Sequence, residues 1–367
     1  MSKPSTHDSS DAVNILEMTL VDGSRPLALL IGAGGGCSIM TKIGPLIPAI
    51  AGLTVDVQSA IKAKTTLKIL DDSLKEDGNS KPTVEDWLTR ARTLITVVGK
   101  DTVRGLTKAE LETLESEIVV AIAKRVAVTL PAGDSGYESV ARWASEFDRS
   151  HPLELFTLSY DMLMEQALES NHVSYFDGFV GSYEPFLDLR AMEEDNLPNR
   201  WARFWKMHGS ISWKSRDGMT YRTAEWKNGK FDRTLIHPSH LKYDQSRRMP
   251  YLSMQDRLRT FMRRPGAALI TIGYSFGDQH INELIEEGLR VNPGAVAFGL
   301  LFDDLADFDD AVELATRESG LRLYAKDAAV IGRVSLPWAM LPSGELVPRF
   351  GDFNTFGGVL DRITVKS

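Results

Sequence analysis

Residues Leu27 to Ser38 read Leu-Ala-Leu-Leu-Ile-Gly-Ala-Gly-Gly-Gly-Cys-Ser, and this stretch decides how the rest of the chain is interpreted. Its first five residues are aliphatic and uncharged, which is typical of a strand buried on both faces of a parallel sheet. The glycines that follow let the backbone turn sharply and leave space for a ligand close to the main chain. A helix beginning after such a turn favours a bound diphosphate through its free N–H groups and its dipole.

The spacing of these glycines limits the interpretation. Gly32, Gly34, Gly35 and Gly36 do not form the common G-x-G-x-x-G pattern, and no acidic residue about 20 positions later follows an evident second strand. Both features argue against an ordinary Rossmann dehydrogenase, in which such an acid binds the ribose. A buried strand followed by a merely structural turn is the alternative to a nucleotide site.

Composition bounds the class of protein. The 367 residues suffice for about two ordinary domains or for one α/β domain with an insertion. Hydrophobic residues make up 43% and charged residues 25%, as in globular proteins. The net charge of −8 excludes a global basic surface, so direct nucleic-acid binding is not indicated. The local clusters Arg247-Arg248 and Arg263-Arg264 are interpreted as a solvated face.

Several kinds of site and location are not expected. No apolar run is long enough to span a bilayer, and Met1 to Ser10 lacks the apolar core of a secretory signal. The single cysteine, Cys37, excludes an internal disulfide and a Cys-rich zinc site. We therefore expect a cytoplasmic protein without a membrane segment or a metal.

The segment that follows the glycine turn is predicted to be helical. Thr83 and Thr107 each begin a capping box, and apolar residues three and four apart follow both. Residues 45–150 would then form a helical insertion after the first strand, suited to a lid or a subunit contact. Residues 1–24 are expected to be a polar tail with a short helix near Val13 to Leu20.

Strands alternate with helices after this insertion, which predicts an α/β fold: a Rossmann-like parallel sheet with helices on both faces. This fold defines a domain at residues 25–320, followed by a C-terminal extension at 321–367 in which an edge hairpin is expected. Asn228-Gly229 predicts a separate hairpin between Tyr221–Trp226 and Lys230–Ile236. The core strands are predicted at Leu153–Leu158, Arg203–Met207, Ala267–Ile272 and Ala295–Phe302, and the helices at Met162–Glu169, Met254–Arg264 and Gln279–Leu289.

Four predicted strands end in polar or glycine-rich sequence. In a parallel sheet these strand tips would meet at one crevice, where such folds bind their ligands. Each tip alone also has a structural interpretation: a buried histidine, or an aspartate that caps a helix. The tips are Gly32-Ala33-Gly34, Ser159-Tyr160-Asp161, His208-Gly209-Ser210 and Gly273-Tyr274-Ser275-Phe276.

These tips, extended to Thr157–Asp161, Lys206–Trp213 and Gly273–Asn282, resemble the sirtuin-like domain. The resemblance covers roughly residues 25–305 and is closest to the bacterial branch whose members hydrolyse NAD during defence against phage. Phe350 to Leu360 also resembles the closing segment of such proteins. Proteins of this length in that branch act beside a HerA-type ATPase and assemble into rings, so the resemblance implies a homo-oligomer and such a partner.

The resemblance implies an NAD site at the strand tips, with NAD as substrate. His208 would be the catalytic base, since an unperturbed imidazole suits proton removal at neutral pH. Asp161 would support the positive charge that develops as the nicotinamide–ribose bond breaks, and Ser159 occupies the position that orients the attacking water. The residues implied in binding are Gly32, Ala33, Gly34, Gly35 and Ser38 at the pyrophosphate, Tyr160 at the nicotinamide end, and Gly273, Tyr274, Ser275 and Phe276 at the adenosine half.

Two departures from the family pattern separate the possible activities. Protein deacetylases of the family carry a four-cysteine zinc module, which a single cysteine cannot form. The family usually has Asn where this chain has Ser159. One hypothesis is therefore an NAD glycohydrolase that a partner or assembly switches on to deplete NAD. The alternative is a non-catalytic NAD- or ADP-ribose-binding regulatory subunit of a defence complex.

Overall fold

The computed structural model describes residues 5–146, 149–231, 234–236, 250–339 and 349–364. Its largest element is a nine-stranded sheet, and a five-stranded sheet lies beside it. The strands are β1 (Leu27–Ile31), β2 (Met40–Thr41), β3 (Gly44–Pro45), β4 (Glu154–Thr157), β5 (Tyr175–Phe176), β6 (Phe179–Val180), β7 (Phe186–Leu187), β8 (Ala202–Lys206), β9 (Gly209–Arg216), β10 (Met219–Arg222), β11 (Thr234–Ile236), β12 (Ala268–Ile272), β13 (Val296–Leu300), β14 (Leu321–Tyr324), β15 (Ala328–Ile331) and β16 (Val334–Pro337).

The helices flank these sheets or precede β4. They are α1 (Ser9–Val21), α2 (Gly34–Cys37), α3 (Ile50–Ala60), α4 (Lys64–Glu76), α5 (Val84–Val97), α6 (Lys108–Val126), α7 (Gly136–Glu146), α8 (Leu163–Ser170), α9 (Leu189–Glu194), α10 (Tyr251–Met262), α11 (Gln279–Val291), α12 (Asp309–Arg317) and α13 (Phe353–Thr364). No helix in the described ranges is both long enough and apolar enough to cross a membrane.

The large sheet has the strand order β16-β15-β14-β13-β12-β1-β4-β8-β5. All neighbours from β14 to β5 pair in parallel, and β15 and β16 add an antiparallel edge. Helix-containing crossovers connect its successive parallel strands, as parallel pairing requires. The predicted Rossmann-like parallel sheet is therefore confirmed.

Both faces of this sheet are buried. Along β1, Leu27, Leu29 and Ile31 face one hydrophobic core, and Ala28 and Leu30 face the other. This alternation explains why the strand has no polar residue: every side chain enters a core. Helices α1, α3 to α8 and α13 cover the first face, and α10, α11 and α12 cover the second.

The predicted helical insertion is confirmed: α3 to α7 all lie between β1 and β4. Both predicted capping boxes are present, with Thr83 and Asp86 at the start of α5 and Thr107 and Glu110 at the start of α6. Helices α5 and α6 bury the apolar residues that repeat three and four positions apart.

The hairpin predicted at Asn228-Gly229 is wrong. Asn228 ends a short 3-10 helix, and β10 and β11 both pair with β9 rather than with each other. The hairpin forms instead at Asp217-Gly218, where both residues have positive φ (52° and 78°), as a two-residue type I′ turn requires. The first strand of this hairpin, β9, begins directly after His208. The hairpin therefore follows one of the four predicted strand tips.

Helices α1 and α13, the first and last helices of the described ranges, lie against the first face. Helix α1 includes the helix predicted at Val13 to Leu20, and Leu16 and Leu20 are fully buried. At the other end, α13 lies against α7, and the Asn354 side chain donates to the backbone oxygen of Ser38, just after the glycine turn. The boundaries proposed after residues 24 and 320 stay predictions.

Candidate active site

The structure brings the four predicted strand tips to one edge of the sheet. In the order β12-β1-β4-β8 the strands are neighbours, and backbone hydrogen bonds continue just beyond them. The amide of Gly32 donates to Ile272 (2.9 Å), that of Leu158 to Ile31 (3.1 Å), and that of Met207 to Thr157 (2.9 Å). The edge is therefore rigid, and it is the carboxyl edge at which open α/β sheets bind ligands.

Glycines at this edge are required because two backbones touch. A Cβ on Gly32 would lie 2.2 Å from the Gly273 carbonyl oxygen, and one on Gly34 would lie 2.7 Å from the Gly273 Cα. Gly273 itself has a φ of +63°, a conformation that favours glycine. Part of the glycine pattern attributed to a ligand thus serves the contact between the β1 and β12 tips.

The turn after β1 also uses several of its own polar groups. The amides of Gly34 and Gly35 donate to the oxygens of Gly273 and Gly32 (2.9 and 3.1 Å). The Ser38 hydroxyl, proposed as a donor to the pyrophosphate, donates to the Gly35 oxygen at 2.7 Å. Ala33 is exposed at the apex of the turn. A ligand would therefore contact this turn mainly at Ala33.

In the tip after β12, only some of the predicted residues face outward. The Tyr274 and Phe276 side chains are buried, at 5% and 0% exposure, and their rings contact each other. Tyr274 donates its hydroxyl to the Asn282 side chain at 2.6 Å, which anchors the tip to α11. Ser275 is exposed, so it and the Gly273 backbone are the groups of this tip that a ligand can reach.

His208 and Asp278 join the two ends of the site. Nε2 of His208 lies 2.9 Å from Oδ2 of Asp278, which belongs to the loop after β12. Their strands are three positions apart in the sheet, about 14 Å at the usual strand spacing, so the pair passes over the β1 and β4 tips. Asp278 also caps α11, accepting from the His280 amide at 3.0 Å. Sequence reasoning identified only this capping role.

The electrostatics of the pair favour a charged imidazole. Burial alone lowers the pKa of His208, but the contact with Asp278 and the charge of Glu85 outweigh it, and the pKa is raised. Burial raises the pKa of Asp278, but His208 and the backbone amide of Ile281 outweigh it, and the pKa is lowered. The pair thus resembles the orienting carboxylate and base of many hydrolytic sites.

Ser159 and Asp161 form a second polar group beside this pair. The Ser159 hydroxyl donates to Oδ2 of Asp161, and Oδ1 of Asp161 accepts from the Leu163 amide at 2.8 Å. Below them, the buried Lys206 ammonium donates to the Asp161 backbone oxygen and to Glu165, 2.8 Å away. These contacts fix the orientation of the Asp161 carboxylate.

The helical insertion covers the site from one side. Tyr160 donates its hydroxyl to Glu85 of α5 at 3.3 Å, and burial, followed by the charge of Glu85, raises the pKa of Tyr160 well above its usual value. Tyr137 of α7 reaches the glycine turn, since a Cβ on Gly35 would lie 2.7 Å from its hydroxyl. Neither Glu85 nor Tyr137 was found from the sequence, because both come from distant helices.

The two halves of this edge offer different chemical groups. In the described part of the chain, no group of three or more His, Cys, Asp or Glu side chains could hold a metal ion. One half of the edge offers exposed backbone at small residues, and the other offers an imidazole and a carboxylate. These groups can bind phosphates, accept a proton and stabilise developing positive charge.

Comparison with known proteins gives one family match. Residues 153–323, a little under half of the chain, match the model of the SIR2-like domain. The matched range includes Ser159, Asp161, His208 and Gly273–Asp278, but not the glycine turn after β1. It supports a sirtuin-like assignment for this part of the chain, in agreement with the motif resemblance.

A structural comparison finds a chain titled "Structural Basis for the Mechanism and Regulation of Sir2 Enzymes". The two chains are 11% identical with a TM-score of 0.42, and the alignment covers 96% of this chain and 98% of that chain. No curated protein matches the sequence.

Proposed function

We propose that this chain is an NAD+ glycohydrolase, which converts NAD+ and water to nicotinamide and ADP-ribose. The observation that carries the proposal is the buried His208–Asp278 pair at the carboxyl edge of a sheet whose SIR2-like region contains both residues. NAD+ is the substrate class that the sirtuin-like resemblance implies. Its phosphates would lie along the backbone of the glycine turn and the β12 tip, and its nicotinamide ribose would lie near His208 and Asp161.

His208 accepts a proton in this proposal. Because Nε2 faces the Asp278 carboxylate, that nitrogen carries the N–H of the neutral ring, and Nδ1 is the nitrogen that receives the proton. Asp278 holds the ring orientation and stabilises the imidazolium that forms. Since the pKa of His208 is raised, we expect activity to increase with pH as the ring loses its proton.

Ser159 and Asp161 act on the reacting sugar. The bond between the ribose carbon and the nicotinamide nitrogen breaks, and its electron pair neutralises the ring nitrogen. The Asp161 carboxylate stabilises the resulting oxocarbenium character. Because the Ser159 hydroxyl already donates to Asp161, it can only accept from water, which leaves a lone pair of that water free to attack the sugar. The water proton passes to His208.

The biological role follows from the same resemblance. We propose a cytoplasmic effector of anti-phage defence that stays inactive until a HerA-type ATPase or self-assembly activates it. The contact of α5 with the site supports this view, because movement of Glu85 would change both Tyr160 and His208. Size-exclusion chromatography with light scattering, with and without the candidate ATPase, tests the homo-oligomer and the partner together.

The direct test is nicotinamide release from NAD+ by the purified chain, alone and with candidate partners. His208→Ala is expected to reduce release by about 10²- to 10⁴-fold, the usual contribution of a general base. The matched control is His151→Ala, which removes an exposed histidine and leaves release unchanged. Ser159→Asn restores the side chain usual in the family and is expected to increase release.

The alternative function has its own result. A regulatory subunit would release no nicotinamide under any condition, yet NAD+ or ADP-ribose would raise its melting temperature in a saturable way. The observation favouring it is that Ser159 replaces Asn and is already bonded to Asp161. Absence of both nicotinamide release and ligand stabilisation contradicts both functions.

A further inference from the structure

A separate cavity lies at the opposite end of the large sheet from the candidate active site. Its volume is about 700 Å³, and it opens where β13 and β14 begin, whereas the active-site tips follow the ends of parallel strands. Val296 and Phe298 of β13 and Ile15 of α1 give it apolar surfaces. Both its position and its lining residues are distinct from the four strand tips.

Arginines dominate the polar lining of this cavity. Four of them contribute, Arg25, Arg290, Arg322 and Arg333, against the single acidic residue Glu318. We name it the arginine cavity. Such a concentration of guanidinium groups is unusual in a chain whose net charge is −8.

Two of the four arginines already have partners. Arg25 donates through Nε and Nη2 to the Gly266 oxygen, at 3.0 and 2.7 Å. Arg290 pairs with Glu286 at 2.7 Å and lies 3.6 Å from Glu318. These two arginines form the structural wall of the cavity.

The other two arginines have donors to spare. Among the described residues, no carboxylate lies within ion-pair distance of Arg322 or Arg333. Arg322 is half-buried, with its guanidinium carbon 5.8 Å from the centre of the Phe298 ring. Arg333 is exposed in the turn between β15 and β16. A planar guanidinium held against an aromatic ring is well suited to bind the oxygens of a phosphate.

We propose that the arginine cavity binds a small phosphate-bearing ligand of the nucleoside phosphate class. Arg322 and Arg333 contact the phosphates, and the apolar surfaces of Ile15 and Val296 contact the nucleoside. The volume lies within the range of about 300–1,000 Å³ that is usual for small-molecule sites. The proposal does not depend on NAD+ hydrolysis, because it uses no residue of the candidate active site.

The test is a calorimetric titration of ADP into the full chain and two matched double variants. Arg322→Gln with Arg333→Asn removes both cations that have no carboxylate partner, and Asn tolerates the positive φ of 70° at position 333. Arg104→Asn with Lys326→Gln removes the same charge from exposed residues outside the cavity, and position 104 also has a positive φ, of 52°. We expect the cavity variant to weaken ADP binding about tenfold or more and the control variant to leave it unchanged.

Two further titrations test whether the phosphate and Arg333 are required for binding. Adenosine without phosphate should not bind, and Arg333→Asn alone should weaken ADP binding even if the double variant is unstable. Equal ADP binding by the cavity and control variants, or no binding to the unmodified chain, overturns the proposal. Because ADP could also bind at the candidate active site, the test of the arginine cavity is the difference in ADP binding between the cavity and control variants. Nicotinamide release by the cavity variant, measured separately, should equal that of the unmodified chain, so a failure of the proposed hydrolase and a failure of the cavity give different results.

Discussion

The two halves of the carboxyl edge are built in different ways. At the β1 and β12 tips, main chain touches main chain, and Gly32, Gly34 and Gly273 are required by that contact. At the β4 and β8 tips, buried charged side chains hold the structure: Lys206 pairs with Glu165, and His208 pairs with Asp278, which reaches it from the loop after β12. The first half excludes any added atom, whereas the second half depends on matched charges. The same edge of the sheet therefore combines a backbone contact with a charged one.

Because of this difference, substitutions in the two halves should destabilise the fold for different reasons. In the half held by charges, burial raises the pKa of Glu165 despite the nearby Lys206. Loss of Lys206 would therefore leave an unpaired buried carboxylate and destabilise the fold. A Cβ inserted between two backbones is costly because neither can move independently of its strand. The charge half should also respond to pH, and the backbone half should not.

The largest effect is expected for Lys206→Met in the charge half. Its loss leaves the Glu165 carboxylate buried and unpaired, which should lower the free energy of unfolding by about 3–5 kcal/mol. The control is Lys68→Met, which breaks an exposed pair with Asp72 and should leave the free energy of unfolding nearly unchanged. Urea denaturation measures both, and equal losses would contradict the distinct status of the buried pair.

In the backbone half, Gly32→Ala is expected to lower the free energy of unfolding by about 1–3 kcal/mol. The reason is the 2.2 Å approach of the added Cβ to the Gly273 oxygen. Gly358→Ala is the matched control, because a Cβ there meets no atom within 4 Å and replaces glycine inside α13. The control should be neutral or stabilising by up to about 1 kcal/mol. A Gly32→Ala chain as stable as this control would show that the tips can separate freely.

The pH dependence of stability should also differ between the two halves, with a smaller effect than the two substitutions above. The folded pKa of His208 is raised, so its stabilisation is present below the unfolded value of about 6.5 and is lost as pH rises through the folded pKa. The folded pKa of Asp278 is lowered, so its stabilisation is present above about 3.9 and is lost as pH falls through the folded pKa.

The stability advantage of the unmodified chain over His208→Gln should therefore be largest between about pH 4 and pH 6.5 and should decrease in alkali. Denaturation at a series of pH values measures it. The Gly32→Ala difference should stay constant over the same range. An advantage that grows with rising pH would contradict the charged pair.

The smallest effect is expected for Glu85→Gln in α5. Loss of this charge lowers the pKa of His208, so the acid limb of the NAD+ cleavage profile should move to lower pH. Glu112→Gln, on the exposed pair with Lys108, is the control and should not move it. A shift to higher pH would mean that Glu85 does not act on His208 through its charge.

Sequence reasoning was most successful where local pattern decides structure. The uncharged run at Leu27–Ile31 gave a strand buried on both faces, and the capping boxes at Thr83 and Thr107 began α5 and α6. The hairpin failed because Asn228-Gly229 and Asp217-Gly218 carry the same type of local signal. Only the pairing of β9 with both neighbours selects between them.

For the site, sequence reasoning located tips but not the contacts between them. His208 was found because it follows a strand, whereas its contact with Asp278 connects residues 70 positions apart in the numbering. The resemblance to the sirtuin-like domain implied that Tyr274 and Phe276 bind the ligand, yet their rings lie in the core. Burial of a particular side chain and its distant partner depends on tertiary packing, which no local pattern contains.

The most direct test of the central claim is an NMR titration of the His208 imidazole, assigned by comparison with the His208→Gln spectrum. The account predicts that this ring titrates above the usual pKa of about 6.5 and that Asp278→Asn lowers that pKa. It also predicts a saturable shift of the same signal on addition of NAD+. A ring that titrates at or below 6.5 and does not respond to saturating NAD+ would contradict the assignment of His208 as the base of this site.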